Sequence, residues 1–178
     1  EEQKHQTYFS VISAFSMALI EAQTEEEVAW TIAKEAIASL NFVDCVVYLV
    51  DRKDGKLKQK AAYGPKSPKE LTDSIIDPIS LNFGQGVVGA AAVERKTIII
   101  EDVSKDDRYV VDDEQRSSEI AVPILAGYEV IGVIDSEHPE KNHFTDEDVK
   151  IMEAIASIAS TRFQRTRVIE ESKRTAGR

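Results

Sequence analysis

A single cysteine, Cys45, in 178 residues leaves no partner for an internal disulfide and suits a reducing compartment. Missing as well is any apolar run approaching the ~20 residues of a membrane span. Basic residues are in deficit, 22 against 32 acidic, for a formal net charge of -10, and no basic run is long enough to track a phosphate backbone. Nucleic-acid and anionic-membrane binding are therefore excluded as expectations. The N-terminus carries glutamates where a secretory leader carries basic residues, so the reading is cytoplasmic. What is present is enough apolar content, 42%, to bury one core, and no second globular domain is expected.

The organising stretch is Ser118 to Pro139, SEIAVPILAGYEVIGVIDSEHP. Two runs rich in β-branched residues flank a turn at Ala126-Gly127-Tyr128, which predicts a buried hairpin running out into a polar rim of Asp135 and Glu137. Cys45 to Val50 is apolar throughout and predicts a central strand covered on both faces. Asp54-Gly55 predicts the turn that leads into a more exposed return strand, Leu57 to Tyr63. Gly64, Pro65 and Pro68 then open a loop with a short helical piece around Glu70 to Ile76. Pro123 conflicts with an interior strand, because it donates nothing to a ladder and belongs on an edge or at a bulge.

Helices bracket this sheet. Tyr8, Ile12, Phe15, Leu19 and Ala22 draw a 4,3,4,3 seam along a first helix, Gln3 to Gln23. Thr24-Glu25-Glu26-Glu27 reads as a capping box opening a second, with Val28, Ile32, Ala36 and Leu40 on its buried face and Trp30 as packing. Thr145 with Asp148 caps the last helix, where Ile151, Ile155 and Ile158 make one stripe and Met152, Ala156, Ala159 and Phe163 another. One stripe is assigned to the sheet and the other to a partner. The expected organisation is a signalling or dimerisation helix over 1–23, a core domain over 24–163 and a connecting helix over 164–178 toward an output domain.

The glycines of Gly84-Gln85-Gly86-Val87-Val88-Gly89 mimic a dinucleotide fingerprint. No buried strand precedes them, and the repeated strand-helix-strand units of a doubly wound sheet are missing, so a nicotinamide or flavin enzyme is rejected. Set beside Glu101-Asp102-Val103, the Ser118 to Ile124 and Val130 to Asp135 strands, and Phe144-Thr145-Asp146-Glu147-Asp148, the glycine block resembles the GAF domain family over nearly the whole chain. The resemblance implies an α+β fold: an antiparallel sheet of about six strands with the N- and C-terminal helices packed on one face and a loop-covered pocket on the other. It also implies a small-molecule ligand and a homodimer formed through the terminal helices, here through Tyr8, Ile12, Phe15, Leu19, Met152, Ala156, Ala159 and Phe163.

Within the family, the branch with enzymatic chemistry is the free methionine-(R)-sulfoxide reductases. Where those enzymes carry cysteines, this chain has Pro78, Val88 and Val111, which removes the nucleophile. Cys45 is read as inert packing. The acidic residues of that branch correspond to Glu119, Asp135 and Glu137, which suit the amino group of a small ligand, although a capping or solvated role is the alternative. The ligand-binding candidates are Tyr63, Phe83, Asp102, Tyr109, Glu119, Asp135 and Glu137, and the loop holding Asp102, Asp106, Arg108, Tyr109, Asp112 and Asp113 is a candidate lid. His138 and His143 lie near Glu137 and Glu140 but without fixed spacing, so no metal is expected, nor a cofactor, a bilin or a cyclic nucleotide. The expected role is a sensory module of a two-component protein, a sensor histidine kinase, not itself an enzyme. A passive dimerisation module and a variant reductase are the alternatives.

Overall fold

The computed structural model describes residues 2–66, 73–112 and 116–178, with side chains throughout except at 2–6 and 37. In chain order the elements are α1 (Glu2–Leu19), α2 (Glu25–Leu40), β1 (Cys45–Val50), β2 (Leu57–Tyr63), β3 (Ser80–Leu81), α3 (Gly86–Glu94), β4 (Ile98–Ile100), β5 (Ser118–Ala126), β6 (Glu129–His138) and α4 (Asp146–Ala176). A short 3-10 turn, Val103–Lys105, follows β4. The six strands form one sheet in the order β3-β2-β1-β6-β5-β4, and each neighbouring pair is antiparallel.

Strand alternation sends side chains to two separate cores. On one face Cys45, Val47 and Leu49 of β1, Ile120, Val122 and Ile124 of β5, and Ile131 and Ile134 of β6 pack against α1, α2 and α4 through Phe15, Ile32, Ile151, Ile155 and Phe163. On the other face Val46, Tyr48, Ala121, Val130 and Val133 meet Val87, Val88 and Ala91 of α3. The helix α3 has no polar face because both its sides are covered, with Val87 through Ala92 all buried.

Two glycines permit this close assembly. A Cβ at Gly132 would sit 2.1 Å from the Tyr48 carbonyl oxygen on β1, and one at Gly89 would sit 2.6 Å from the Asn82 carbonyl oxygen. The first lets β6 lie against β1; the second lets the glycine turn fold over α3. Pro123 pairs with Val133 on β6, whereas β4 ends its pairing at Ile98 with Ala121. Beyond that point β5 is an edge, so the missing N–H of Pro123 leaves no β4 ladder bond unmade.

The helix starts follow their caps. Thr145 Oγ1 accepts from the Asp148 N–H at 3.1 Å and Asp148 Oδ2 from the Thr145 N–H at 3.0 Å. At α2, Thr24 Oγ1 accepts from the Glu27 N–H, but the Glu27 carboxylate reaches one residue further back, to the Gln23 N–H at 2.9 Å. The described residues 73–76 carry no helix, and the Ile76 N–H goes to the Lys66 carbonyl at 2.9 Å; the rest of the expected piece, like Asp113, lies outside the described residues.

The second stripe of α4 is also filled from within. Phe15, Leu19, Met152, Ala156, Ala159 and Phe163 are all buried in the chain's own core, and Tyr8 and Ile12 pack against it half-covered. These residues therefore do not form an exposed seam for a second copy: α1 occupies the place that the sequence reading assigned to a partner helix. Arg162 fastens the two, donating from Nε and Nη2 to the Ala22 carbonyl at 3.1 and 2.6 Å. The polar stretch after Phe163 also returns to the domain, since Thr166 is buried and Arg167 pairs with Glu25 and Glu129 at 3.0 and 3.3 Å.

Candidate functional site

On the sheet face away from the terminal helices, strand register gathers acids. Glu119 lies opposite Glu137, and Ala121 opposite Asp135, so β5 and β6 place three carboxylates on one patch; β1 adds Val46 opposite Asp135. Asp44, just ahead of β1, lies beside them and accepts from the Glu137 N–H at 2.8 Å. The glycine turn, the first turn of α3 and the loop through Val110 and Asp112 cover the patch.

Glu119 and Asp135 are each only 5% exposed, yet Glu119 Oε2, Asp135 Oδ1 and Glu137 Oε1 are buried without a hydrogen-bond partner. Such groups are costly, about 1–3 kcal/mol each. The site responds by holding protons. Burial, followed by the Glu137 charge, pushes Glu119 up to about 8, and burial, followed by Asp135, pushes Glu137 up to about 9. Asp135 is also driven well above the carboxylate range, by burial and then by the Glu119 charge.

The basic groups nearby are already engaged. Lys66, itself buried, pairs with Asp112 at 2.8 Å, and Arg116 approaches Asp44 at 3.6 Å. Gln59 ties the cover down, donating from Nε2 to Asp112 Oδ2 at 2.7 Å and to the Tyr48 hydroxyl at 3.0 Å, while its Oε1 accepts from the Ile79 N–H. The Tyr109 hydroxyl accepts from the Arg116 N–H. Beneath this cover two small cavities remain, each of about 20 Å³, enough for a water and too small for an organic ligand. The conformation is thus closed over the acids.

Of the sequence candidates, Glu119, Asp135 and Glu137 line one cavity together, and Glu137 and Tyr63 line the other, where Tyr63 forms the rim. Tyr109 packs at the edge of the same core. Phe83 is exposed and is absent from both linings. Asp102 caps the 3-10 turn and lines neither cavity: it accepts from the Ser104 N–H and hydroxyl and pairs with Lys141 at 3.2 Å. Those bonds, the Ser104 hydroxyl first, hold its carboxyl below the usual value.

Gln59, Lys66, Val110 and Arg116 were missed. Gln59 alone left a signal, as a polar residue two positions from Leu57 on the inward face of a strand.

Cys45 faces the helix-side core, and burial raises its thiol well above the ordinary value. The chain's one thiol is therefore on the wrong side of the sheet for the acids. His138, Glu140 and His143 bring potential ligand atoms within 4.8 Å of one another. The two imidazoles stack at 3.4 Å with planes 5° apart, and His138 Nδ1 accepts from the Glu140 N–H.

A family model described as GAF domain matches residues 22–164. The chain belongs to the GAF domain family. Among curated proteins it is 35% identical to Protein YtsP of Bacillus subtilis over 78 residues, 44% of this chain and 48% of that one. It is 34% identical over 70 residues to free methionine-R-sulfoxide reductase of Escherichia coli, 39% of this chain and 42% of that one. The GAF chain spans less than half the length of these curated relatives. Among solved structures, free methionine-R-sulfoxide reductase of Neisseria meningitidis with its substrate superposes with a TM-score of 0.79 at 22% identity, covering 91% of each chain. The GAF domain of a phosphoenolpyruvate-protein phosphotransferase from Coxiella burnetii gives 0.81 at 16% identity, covering 93% and 98%. Among the described residues of this GAF domain, no helix is long and apolar enough to cross a membrane.

Proposed function

We propose that this GAF domain is a ligand-sensing module whose pocket takes a small molecule carrying an ammonium group. The observation that carries the reading is the set of three buried, unpartnered carboxylate oxygens under a closed cover. An ammonium offers three donors and a positive charge, so it supplies hydrogen bonds to those oxygens and favours the ionised form of the acids. Free amino acids are the first class to test, and the likeness to the sulfoxide reductases supports that choice.

The module acts by binding, not by turnover, because its one thiol lies across the sheet from the acids. A variant reductase is the second reading, favoured by the same likeness. Signal leaves through the sheet to α1 and α4, and the paired state is a homodimer. With the inner seam occupied, the surfaces offered to a second copy are the exposed apolar residues Phe9, Met17 and Ile20 on and after α1, and Val168 and Ile169 on α4. A histidine kinase as the output rests on the helical extension of α4 alone. Any ligand shifts that output only by binding one helix arrangement better than the other.

The test is a thermal-shift screen of the chain against free amino acids, methionine sulfoxide and cyclic nucleotides. A ligand at one hundred times its Kd adds about 2.7 kcal/mol. Stabilisation by an amine that disappears in Glu119→Gln supports the sensor. No shift from any compound, with a dimer still present, points to the passive relay, and consumption of methionine sulfoxide by the Cys45→Ala variant points to the reductase.

A further inference from the structure

Where β4 stops short and leaves β5 open, a groove of about 410 Å³ runs between β5 and α4. That is within the ~300–1,000 Å³ of ordinary small-molecule pockets. It shares no lining residue with the two small cavities at the acids. Val122, Pro123 and Leu125 of β5 and Ala156 of α4 form an apolar floor, and Arg95 and Lys96, in the connection from α3 to β4, make a basic wall.

Arg95 is fixed in this wall. It ends α3 at φ 55° and ψ 38°, the left-handed region that glycine or asparagine usually fills. Its Nε donates to the Tyr128 carbonyl at 3.1 Å, and its guanidinium lies 3.8 Å from the centroid of the Tyr128 ring. Both contacts hold the side chain and leave Nη1 and Nη2 unspent, and no carboxylate among the described residues pairs with Arg95 or Lys96. In a chain of net charge -10, two adjacent unpaired cations beside an apolar floor complement an anion with an apolar body. A guanidinium fork matches a carboxylate best. Among the described lining residues the one acid is Glu153, whose Oε1 accepts from the Thr97 hydroxyl at 2.8 Å. The open edge of β5 offers little to an added peptide strand. Pro123 has no N–H, Ser160 Oγ donates to the Leu125 carbonyl, and Arg95 holds the Tyr128 carbonyl.

We infer that this groove is a second ligand site, for a small carboxylate with an aliphatic or aromatic body, and that Arg95 anchors it. The carboxylate meets the Arg95 Nη groups and Lys96, and the body lies on the floor between β5 and α4. The occupant touches α4 and the strand that carries Glu119, so the site stands beside the acid pocket and does not depend on the sensor reading.

Isothermal titration of the 178-residue chain with 2-naphthoate and octanoate, against 2-naphthamide and octanamide, tests this. Each carboxylate is expected to bind once per chain, about tenfold tighter than its amide. With folding verified by circular dichroism, Lys96→Gln should weaken the carboxylates about threefold and Glu153→Gln tighten them about twofold, since the two charges act with opposite sign. Ser157 is exposed, so Ser157→Trp fills the groove from the α4 side without entering the core and should abolish binding. Glu119→Gln, on the other face of the sheet, should leave binding unchanged. Equal affinity for acids and amides, or binding unmoved by both Lys96→Gln and Ser157→Trp, overturns the site. Loss of binding in Glu119→Gln would put the compounds among the acids and overturn it as well. A Glu-rich peptide that binds tighter than either carboxylate would assign the groove to a protein partner instead. Absence of binding by both carboxylates defeats this inference and leaves the amine-sensing reading untouched.

Discussion

At Glu119 a carboxyl is buried among other acids, where its ionised form is penalised, and the physical consequence is a trade between stability and binding. The folded chain holds protons on Glu119, Asp135 and Glu137 that an unfolded chain releases near pH 4. Because these folded-state values are raised, their contribution is complete below the unfolded value and is lost as pH climbs through about 8 and 9. The thermal midpoint of the empty protein is therefore expected to fall between pH 6 and pH 9. Glu119→Gln should flatten that fall and add about 1–3 kcal/mol at pH 8.5 while abolishing amine binding. A mutant as pH-sensitive as the parent would contradict this account. Gly132 marks the opposite kind of constraint. A methyl group 2.1 Å from the Tyr48 carbonyl oxygen must push β6 off β1, so Gly132→Ala should cost at least about 1–3 kcal/mol in urea unfolding.

Among the elements, α4 has the most to do. Its N-terminus is fixed by the reciprocal Thr145 and Asp148 bonds, and Thr145→Ala is expected to cost about 1 kcal/mol, read as a lower urea midpoint with an unchanged slope. Its middle carries Phe163, fully buried, for which truncation to alanine should cost about 3–5 kcal/mol. This helix was legible from Phe144 to Phe163 because caps and apolar spacing agree. The partner of its second stripe was not. Periodicity reports that a face is apolar; it carries no label saying whether α1 of the same chain or a helix of another covers it. Arg162 and Arg167, polar in the sequence, bond to residues some 140 positions away along the chain, a contact that the reading of 164–178 as a connecting helix does not contain.

For the molecule as a whole, the sheet separates two functions. The helix-side core couples α1, α2 and α4, while the other face holds the acids under a cover pinned by Gln59, Asp112 and Lys66. The outer sides of α1 and α4 carry exposed apolar residues, among them Phe9, Met17, Val168 and Ile169, that a second copy can cover. The proposed homodimer predicts that light scattering reports a dimer for the parent and a monomer for the double variant Met17→Glu/Ile20→Glu, with the thermal midpoint within a few degrees, because both residues are about 70% exposed within one chain. A variant dimer of unchanged affinity would place the interface elsewhere.

The sequence by itself determined the family, the six-strand antiparallel class, the hairpin of Ser118 to Pro139 and the acids Glu119, Asp135 and Glu137, since strand alternation, caps and turn glycines are local and read along the chain. Only the tertiary structure decided that those acids are buried together with three oxygens lacking a hydrogen bond, that Asp102 is a cap and Phe83 stands outside, and that Lys66, Gln59 and Arg116 surround the site. It also decided that Cys45 faces the helices and that the seam of α1 and α4 is internal. Each of these depends on what lies across a strand or over a loop from the residue concerned. That neighbour is set by register and packing between distant segments, for which a linear pattern has no coordinate.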